Sequence, residues 1–217
     1  MKIRILYNCL LNFLGLREML PGEILRSKPV RENNEPMVAV RSGDGIFVDG
    51  GGVKFCRASV ADKLRNVAEK LKGEGYGIYV YDLYRSPDEQ LERRRKTVLS
   101  LKEKFADERE LEVHLRRSTA GIGGGHQSGG AVDLTLCDMN GNPVDMGSTY
   151  PEKCPEMATS YKVSTVARKH RKILLKAMCC EGFVNYPAEW WHFSYGDQMW
   201  AAYRFKRYAI YGVKNSV

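Results

Sequence analysis

The tightest constraint in the chain is a short segment in which five glycines, Gly123, Gly124, Gly125, Gly129 and Gly130, bracket His126 and precede Asp133. Fully extended, the steps from His126 to Asp133 would span roughly 23 Å at about 3.3 Å per residue. Any fold that uses both side chains at one point must therefore turn the backbone sharply between them. Glycine permits such a turn because it accepts positive φ without a Cβ clash. Beyond the turn the residues alternate, with Val132, Leu134 and Leu136 on one face and Ala131, Asp133 and Thr135 on the other. The pattern predicts a strand that buries its apolar face and directs Asp133 toward a cleft.

A second segment, Glu189-Trp190-Trp191-His192, adds another histidine to a chain that has four. Catalytic zinc is typically held by three His or carboxylate ligands at roughly 2 Å, with a fourth position left for water. His126, Asp133 and His192 form such a set, for one zinc per chain, and Glu189 is a carboxylate free to act as general base. The other histidines read as solvated surface: His170 lies in the basic run Arg168-Lys169-His170-Arg171-Lys172, and His114 in a polar, helical stretch. Trp190, Trp191, Phe193 and Tyr195 make 189–195 read as a strand, in which residues three apart face opposite sides. Glu189 and His192 can then serve one site only through a bulge or sharp bend near Trp190 and Trp191.

Gly124-x-His126-x-x-Gly129-x-Ala131-x-Asp133 followed by Glu189-x-Trp191-His192 resembles the S-x-H-x-x-G-x-A-x-D and E-x-W-H motifs of the zinc D-alanyl-D-alanine dipeptidases, to which D,D-carboxypeptidases are related. The likeness runs over roughly residues 40 to 202. It includes Tyr81-Asp82-Leu83-Tyr84-Arg85-Ser86-Pro87, similar to the family's W-D-x-Y-R-P, as well as Asp145-Met146-Gly147-Ser148 and Gly182-Phe183-Val184-Asn185-Tyr186-Pro187. The resemblance implies that His126, Asp133 and His192 hold zinc. It also implies that Glu189 is the general base and later the proton donor to the leaving amine, and that Arg85 stabilises the oxyanion. The implied activity is that of a zinc metallopeptidase hydrolysing D-alanyl-D-alanine, a small D,D-dipeptide. The alternative is a D,D-carboxypeptidase acting on longer peptidoglycan peptides. Two positions depart from the family. Gly124 replaces a substrate-contacting serine, and Pro151 replaces the aspartate expected to hold the substrate's free amine. Glu152 is the nearest acidic substitute and so the candidate substrate-binding residue.

The formal charge of +8 and the runs Arg93-Arg94-Arg95-Lys96, Arg116-Arg117 and Arg168 to Lys172 would suit phosphate contacts. No nucleic-acid motif accompanies them, and on helices such runs are solvated faces, so no specific nucleic-acid partner is expected. No segment approaches the roughly 20 apolar residues of a transmembrane helix. The start, Met1 to Leu16, has the charge and length of a weak signal peptide, but Asn8 and Asn12 interrupt it and Arg17-Glu18 stands where small residues would mark cleavage. Cys9, Cys56, Cys137, Cys154, Cys179 and Cys180 show no C-x-x-C spacing and read as reduced thiols. The expected location is cytoplasmic, with a periplasmic or exported one as the alternative.

Residues 1–40 carry Pro21, Pro29 and Pro36 and match no motif, so they read as an N-terminal arm before a peptidase domain at 41–217. Val60, Leu64, Val67 and Leu71 predict a helix ending at Lys72-Gly73, and 77–84 a strand. Ser86-Pro87-Asp88-Glu89 is a capping box that starts another helix and so marks where the strand ahead of Arg85 must stop. After a turn at 138–142, residues 143–146 read as a hairpin return. A helix within 164–180 precedes short strands at 183–186 and 189–195, and Asp197 caps a last helix carrying Trp200 and Tyr203. The order predicts a single α+β domain with a small, mostly antiparallel sheet flanked by helices.

Overall fold

The computed structural model describes residues 27–103 and 124–217, together with Leu20, Ile24, Leu25, Asp107 and Arg109. The signal-like stretch, Cys9, His114 and Arg116-Arg117 lie outside the described residues. In chain order the elements are β1 (Met37–Val40), β2 (Ile46–Val48), β3 (Lys54–Arg57), α1 (Ala58–Lys72), β4 (Gly77–Asp82), α2 (Pro87–Lys102), β5 (Ala131–Cys137), α3 (Thr165–Cys180), β6 (Val184–Asn185), β7 (His192–Ser194) and α4 (Gln198–Tyr203). Short 3-10 turns lie at Asp49–Gly51, Gly125–Ser128 and Pro155–Met157. Among the described residues, no helix is long and apolar enough to cross a membrane.

The main sheet runs β2-β4-β5-β7-β6, and β1 pairs with β3 in a separate ribbon. Only β2 and β4 are parallel; the other pairings are antiparallel, giving the α+β architecture expected. β5 occupies the middle and every one of its residues is buried, so the face carrying Asp133 is covered as well as the apolar one. α1 and α3 pack on each other and on β4 and β5, respectively. α1 buries Val60, Ala61, Leu64, Val67, Ala68 and Leu71, the stripe that a 3.6-residue period puts on one side.

Local signals place the helix starts. Ser86 Oγ accepts from Glu89 N at 3.2 Å and Glu89 Oε2 accepts from Ser86 N at 2.8 Å, which satisfies two free amides at the start of α2. Ser164 Oγ caps α3 through Ala167 N at 3.0 Å, and Asp197 Oδ1 caps α4 through Trp200 N at 2.8 Å. The hairpin return after β5 is brief, consisting of a Cys137–Pro143 bridge and Val144 N donating to Leu136 O at 3.1 Å.

The late strands are shorter than predicted. Residues 186–191 form a turn, with Glu189 N donating to Tyr186 O at 3.0 Å and His192 N to Glu189 O at 3.2 Å. A hydrogen-bonded bend, rather than a bulged strand, thus separates Glu189 from His192. The sheet's irregularity lies on the other side of β5, where the β4 register shifts between Val80 and Asp82.

Residues 30–40, part of the expected arm, are tied to the rest of the chain. Arg31 N donates to Ala209 O at 2.9 Å, and Glu32 holds the guanidinium of Arg57 at 2.8 and 2.9 Å. Arg57 is fully buried and also donates to the carbonyls of Ser128 at 2.7 Å, Glu35 at 2.8 Å and Gly212 at 3.1 Å. One cation therefore joins the 32–35 segment, β3, the turn before β5 and the C-terminal stretch. Arg57→Ala strands those acceptors. It should cost about 3 kcal/mol, read as a lowered midpoint in urea denaturation.

Candidate metal centre

Sheet register brings two of the candidate ligands together, because Asp133 on β5 and His192 on β7 are direct partners. His126 arrives from the 3-10 turn ahead of β5, which Gly129 closes at φ 72°. At Gly125 a Cβ would lie 2.8 Å from the Ala131 Cβ and still closer to Asp197 Oδ2, so this position accepts only glycine without a local shift. The donor atoms of His126, Asp133 and His192 all lie within 4.8 Å of one another. His192 Nδ1 is 2.8 Å from Asp133 Oδ1 and His126 Nε2 is 3.4 Å from Asp133 Oδ2, with the two rings 5.1 Å apart. His126 Nδ1 donates to Leu83 O at 2.5 Å, which fixes the tautomer and turns the Nε2 lone pair toward the centre.

The electrostatics follow from burial. Asp133 is 6% exposed. Desolvation would push its carboxyl upward, but His126 and His192 outweigh it and hold the group well below the usual carboxylate range. Desolvation would likewise depress His126, and the Asp133 carboxylate overcomes it and raises the imidazole above its ordinary value. Two imidazole nitrogens and an ionised carboxylate oxygen converging on one point fit a divalent ion such as zinc. Three protein donors are the complement of a catalytic site, whereas closed structural sites take four.

Asp82 is the strand partner of Asp133 and is also buried. Its charge is met by Arg85 at 2.6 Å and Arg93 at 3.2 Å. Arg85 is anchored on both sides: its backbone N donates to His126 O at 3.2 Å, and its guanidinium bonds Asp82 and Gln90. Its buried Nε has no hydrogen-bond partner among the described residues. Glu189 sits in the turn before β7, where Asn185 Nδ2 donates to Glu189 O at 3.1 Å and His192 O at 3.0 Å. Its Oε1 accepts from Lys153 Nζ at 2.5 Å. Glu152 is exposed, and Lys153 rather than Glu152 provides this loop's contact to Glu189.

An aromatic wall stands alongside. Tyr81 stacks on Tyr150 at 4.2 Å, and Tyr150 meets Trp191 edge-on at 5.6 Å. Burial, then the charges of Asp133 and Asp82, push the Tyr150 phenol up, so it stays protonated at neutral pH. Asp82, Tyr150, Lys153 and Asn185 had no assigned role in the sequence reading. Asp82 and Asn185 fall inside family-like segments and could have been found there. Lys153 carries no such signal, since a lysine in a polar loop is unremarkable.

The fold and donor set define an open metal centre of hydrolytic type. The chain belongs to the D-ala-D-ala dipeptidase family of peptidases, which matches residues 43–210. The D-alanyl-D-alanine dipeptidase of Synechocystis is 38% identical over 88 residues, covering 35% of this chain and 36% of that protein. The corresponding enzyme of Escherichia coli is 40% identical over 74 residues, covering 33% and 38%. Those two matches span under two fifths of each relative. The dipeptidase of Enterococcus faecalis is 27% identical over 204 residues, covering 86% of this chain and 92% of that one. In fold, the chain resembles a vancomycin-resistance D,D-pentapeptidase VanY mutant in complex with Zn(II), with TM-score 0.52, 16% identity and coverage of 83% and 90%. It also resembles VanYB in complex with D-alanine-D-alanine, with TM-score 0.50, 18% identity and coverage of 78% and 82%.

Removing the central carboxylate should dismantle the donor set while leaving the sheet intact. Asp133→Ala is expected to weaken zinc binding by at least about 100-fold, measured by calorimetric titration of zinc into metal-stripped protein. An unchanged affinity would place the ion elsewhere.

Proposed function

We propose that the chain is a zinc-dependent D,D-peptidase that hydrolyses the D-alanyl-D-alanine bond. The observation that carries the proposal is the convergence of His126, Asp133 and His192 within 4.8 Å, with Arg85 tied beside them by its backbone N donating to His126 O. The family match, the names of the relatives and the Zn(II) and D-alanine-D-alanine complexes of the structural neighbours support it.

His126, Asp133 and His192 are the proposed ligands. When bound there, zinc would polarise the scissile carbonyl and lower the pKa of water to about 7. Glu189 takes the proton of the attacking water and returns it to the leaving amine. Lys153 occupies Oε1, leaving Oε2 as the accepting oxygen. Arg85 donates to the oxyanion as the carbonyl becomes tetrahedral, and Asp82 and Gln90 hold its guanidinium in place for that role. Tyr150 and Trp191 shield one side from bulk water.

The family description and the relatives named as dipeptidases make the free dipeptide the first substrate to assay. A specific observation favours the second reading, a D,D-carboxypeptidase acting on longer peptides. In the loop where Pro151 replaces the family's amine-binding acid, a lysine meets Glu189. A cytoplasmic location is part of the proposal, in keeping with the free thiols of Cys56, Cys137, Cys154 and Cys180; a periplasmic or exported one is the alternative.

Glu189→Ala should lower kcat by roughly 100- to 10,000-fold while zinc stays stoichiometric, followed as D-alanine release together with metal analysis. Arg85→Ala should lower kcat by about 100- to 1,000-fold. Full turnover in Glu189→Ala would remove the proposed mechanism.

A further inference from the structure

We infer that Lys153 selects against a free amino terminus, so that the substrate class is a D,D-peptide acylated on its amino side; the inference rests on the D,D-peptidase reading above. In a free dipeptide the ammonium nitrogen is bonded to the Cα next to the scissile carbonyl, so it lies within roughly 2.5 Å of the reacting carbon. It must therefore be accommodated by the residues that serve that carbon. Each acid among them already faces a basic partner. Glu189 holds Lys153 at 2.5 Å, Asp82 holds Arg85 at 2.6 Å and Arg93 at 3.2 Å, and Asp133 faces both imidazoles at 2.8 and 3.4 Å.

A free ammonium would enter this setting beside Lys153, Arg85 and Arg93, and would have to displace one of them or stay unpaired. An amide nitrogen carries no charge and meets no such penalty. Lys153 also offers something to the acylated form. An ammonium has three donors, of which one is directed at Glu189, so two remain for an acceptor such as an acyl carbonyl oxygen. Its side chain is 42% exposed, which puts it at the solvent border where the rest of a longer peptide can continue outward. Trp191 lies under the same ammonium, 5.6 Å from ring centroid to nitrogen, and steadies its position.

The test compares kcat/KM for D-alanyl-D-alanine and N-acetyl-D-alanyl-D-alanine in the zinc-loaded wild type, Lys153→Ala, Lys153→Glu and Glu152→Ala, with folding checked by circular dichroism. Calorimetric binding of D-alanine and N-acetyl-D-alanine to the wild type and Lys153→Ala supplies a readout independent of turnover. The wild type should favour the acetylated substrate by on the order of tenfold or more. Lys153→Ala should shrink that ratio, Lys153→Glu should shift it further toward the free dipeptide, and Glu152→Ala should leave it unchanged. If Lys153→Glu loses all activity, the Lys153→Ala ratio decides. A wild type that prefers the free dipeptide, a ratio insensitive to Lys153, or selective loss of free-dipeptide turnover in Glu152→Ala would each overturn the inference. A wild type that cleaves neither substrate would instead end the D,D-peptidase reading, while the binding comparison would still judge Lys153.

Discussion

Burying an ionised carboxylate in the middle of a sheet is the constraint from which the rest of this structure follows. Asp133 lies on the central strand, almost out of contact with water, and such a charge is tolerated only where positive charge and hydrogen-bond donors surround it. Strand register supplies His192 from one side. The glycine-lined turn folds His126 back from the other, and the Leu83 carbonyl sets its tautomer. Asp82, the neighbour across β4, poses the same problem again and is answered by Arg85 and Arg93. Two adjacent acids thus gather two different sets of partners, an imidazole pair able to hold a metal and a guanidinium pair able to receive developing negative charge.

The second half of the site depends on a turn rather than on the sheet. Asn185 is buried and donates to successive carbonyls of the 189–192 bend, holding Glu189 in fixed relation to His192 without requiring both to share one strand face. The 148–153 loop closes over this bend through Trp190 Nε1 donating to Ser148 Oγ at 2.9 Å, through the Tyr150 rings and through Lys153. In the proposed function, rigid elements carry the metal donors, whereas the loop carries the groups that would meet the variable part of a substrate. That division lets specificity change without disturbing the donor geometry.

Much of the site was readable before any coordinates because its residue types are scarce and chemically demanding. Few histidines are available, and the two that adjoin a glycine turn and an acid are the ones that converge. The capping box at Ser86, the caps at Ser164 and Asp197 and the apolar stripe of α1 were legible for a related reason, since each is decided by residues within a turn or two of one another. The 189–195 segment was misjudged because its aromatic content mimics a strand, while the turn there is held by Asn185 from a neighbouring strand. Arg93 read as part of a solvated basic face, yet it reaches Asp82, a partner that only packing of α2 beside β4 could reveal.

What the sequence by itself determined is the inventory: which side chains can bind a metal, which acid lies close to them in the chain, and where helices begin. These follow from side-chain chemistry and short-range backbone bonds. Only the tertiary structure decided which charges neutralise one another, that Lys153 rather than Glu152 meets Glu189, and that Arg57 ties the 32–35 segment to the turn bearing His126. Those pairings join positions far apart in the chain. They are chosen by sheet register and by the energetic need to compensate buried charge, and neither is written in any local run of residues.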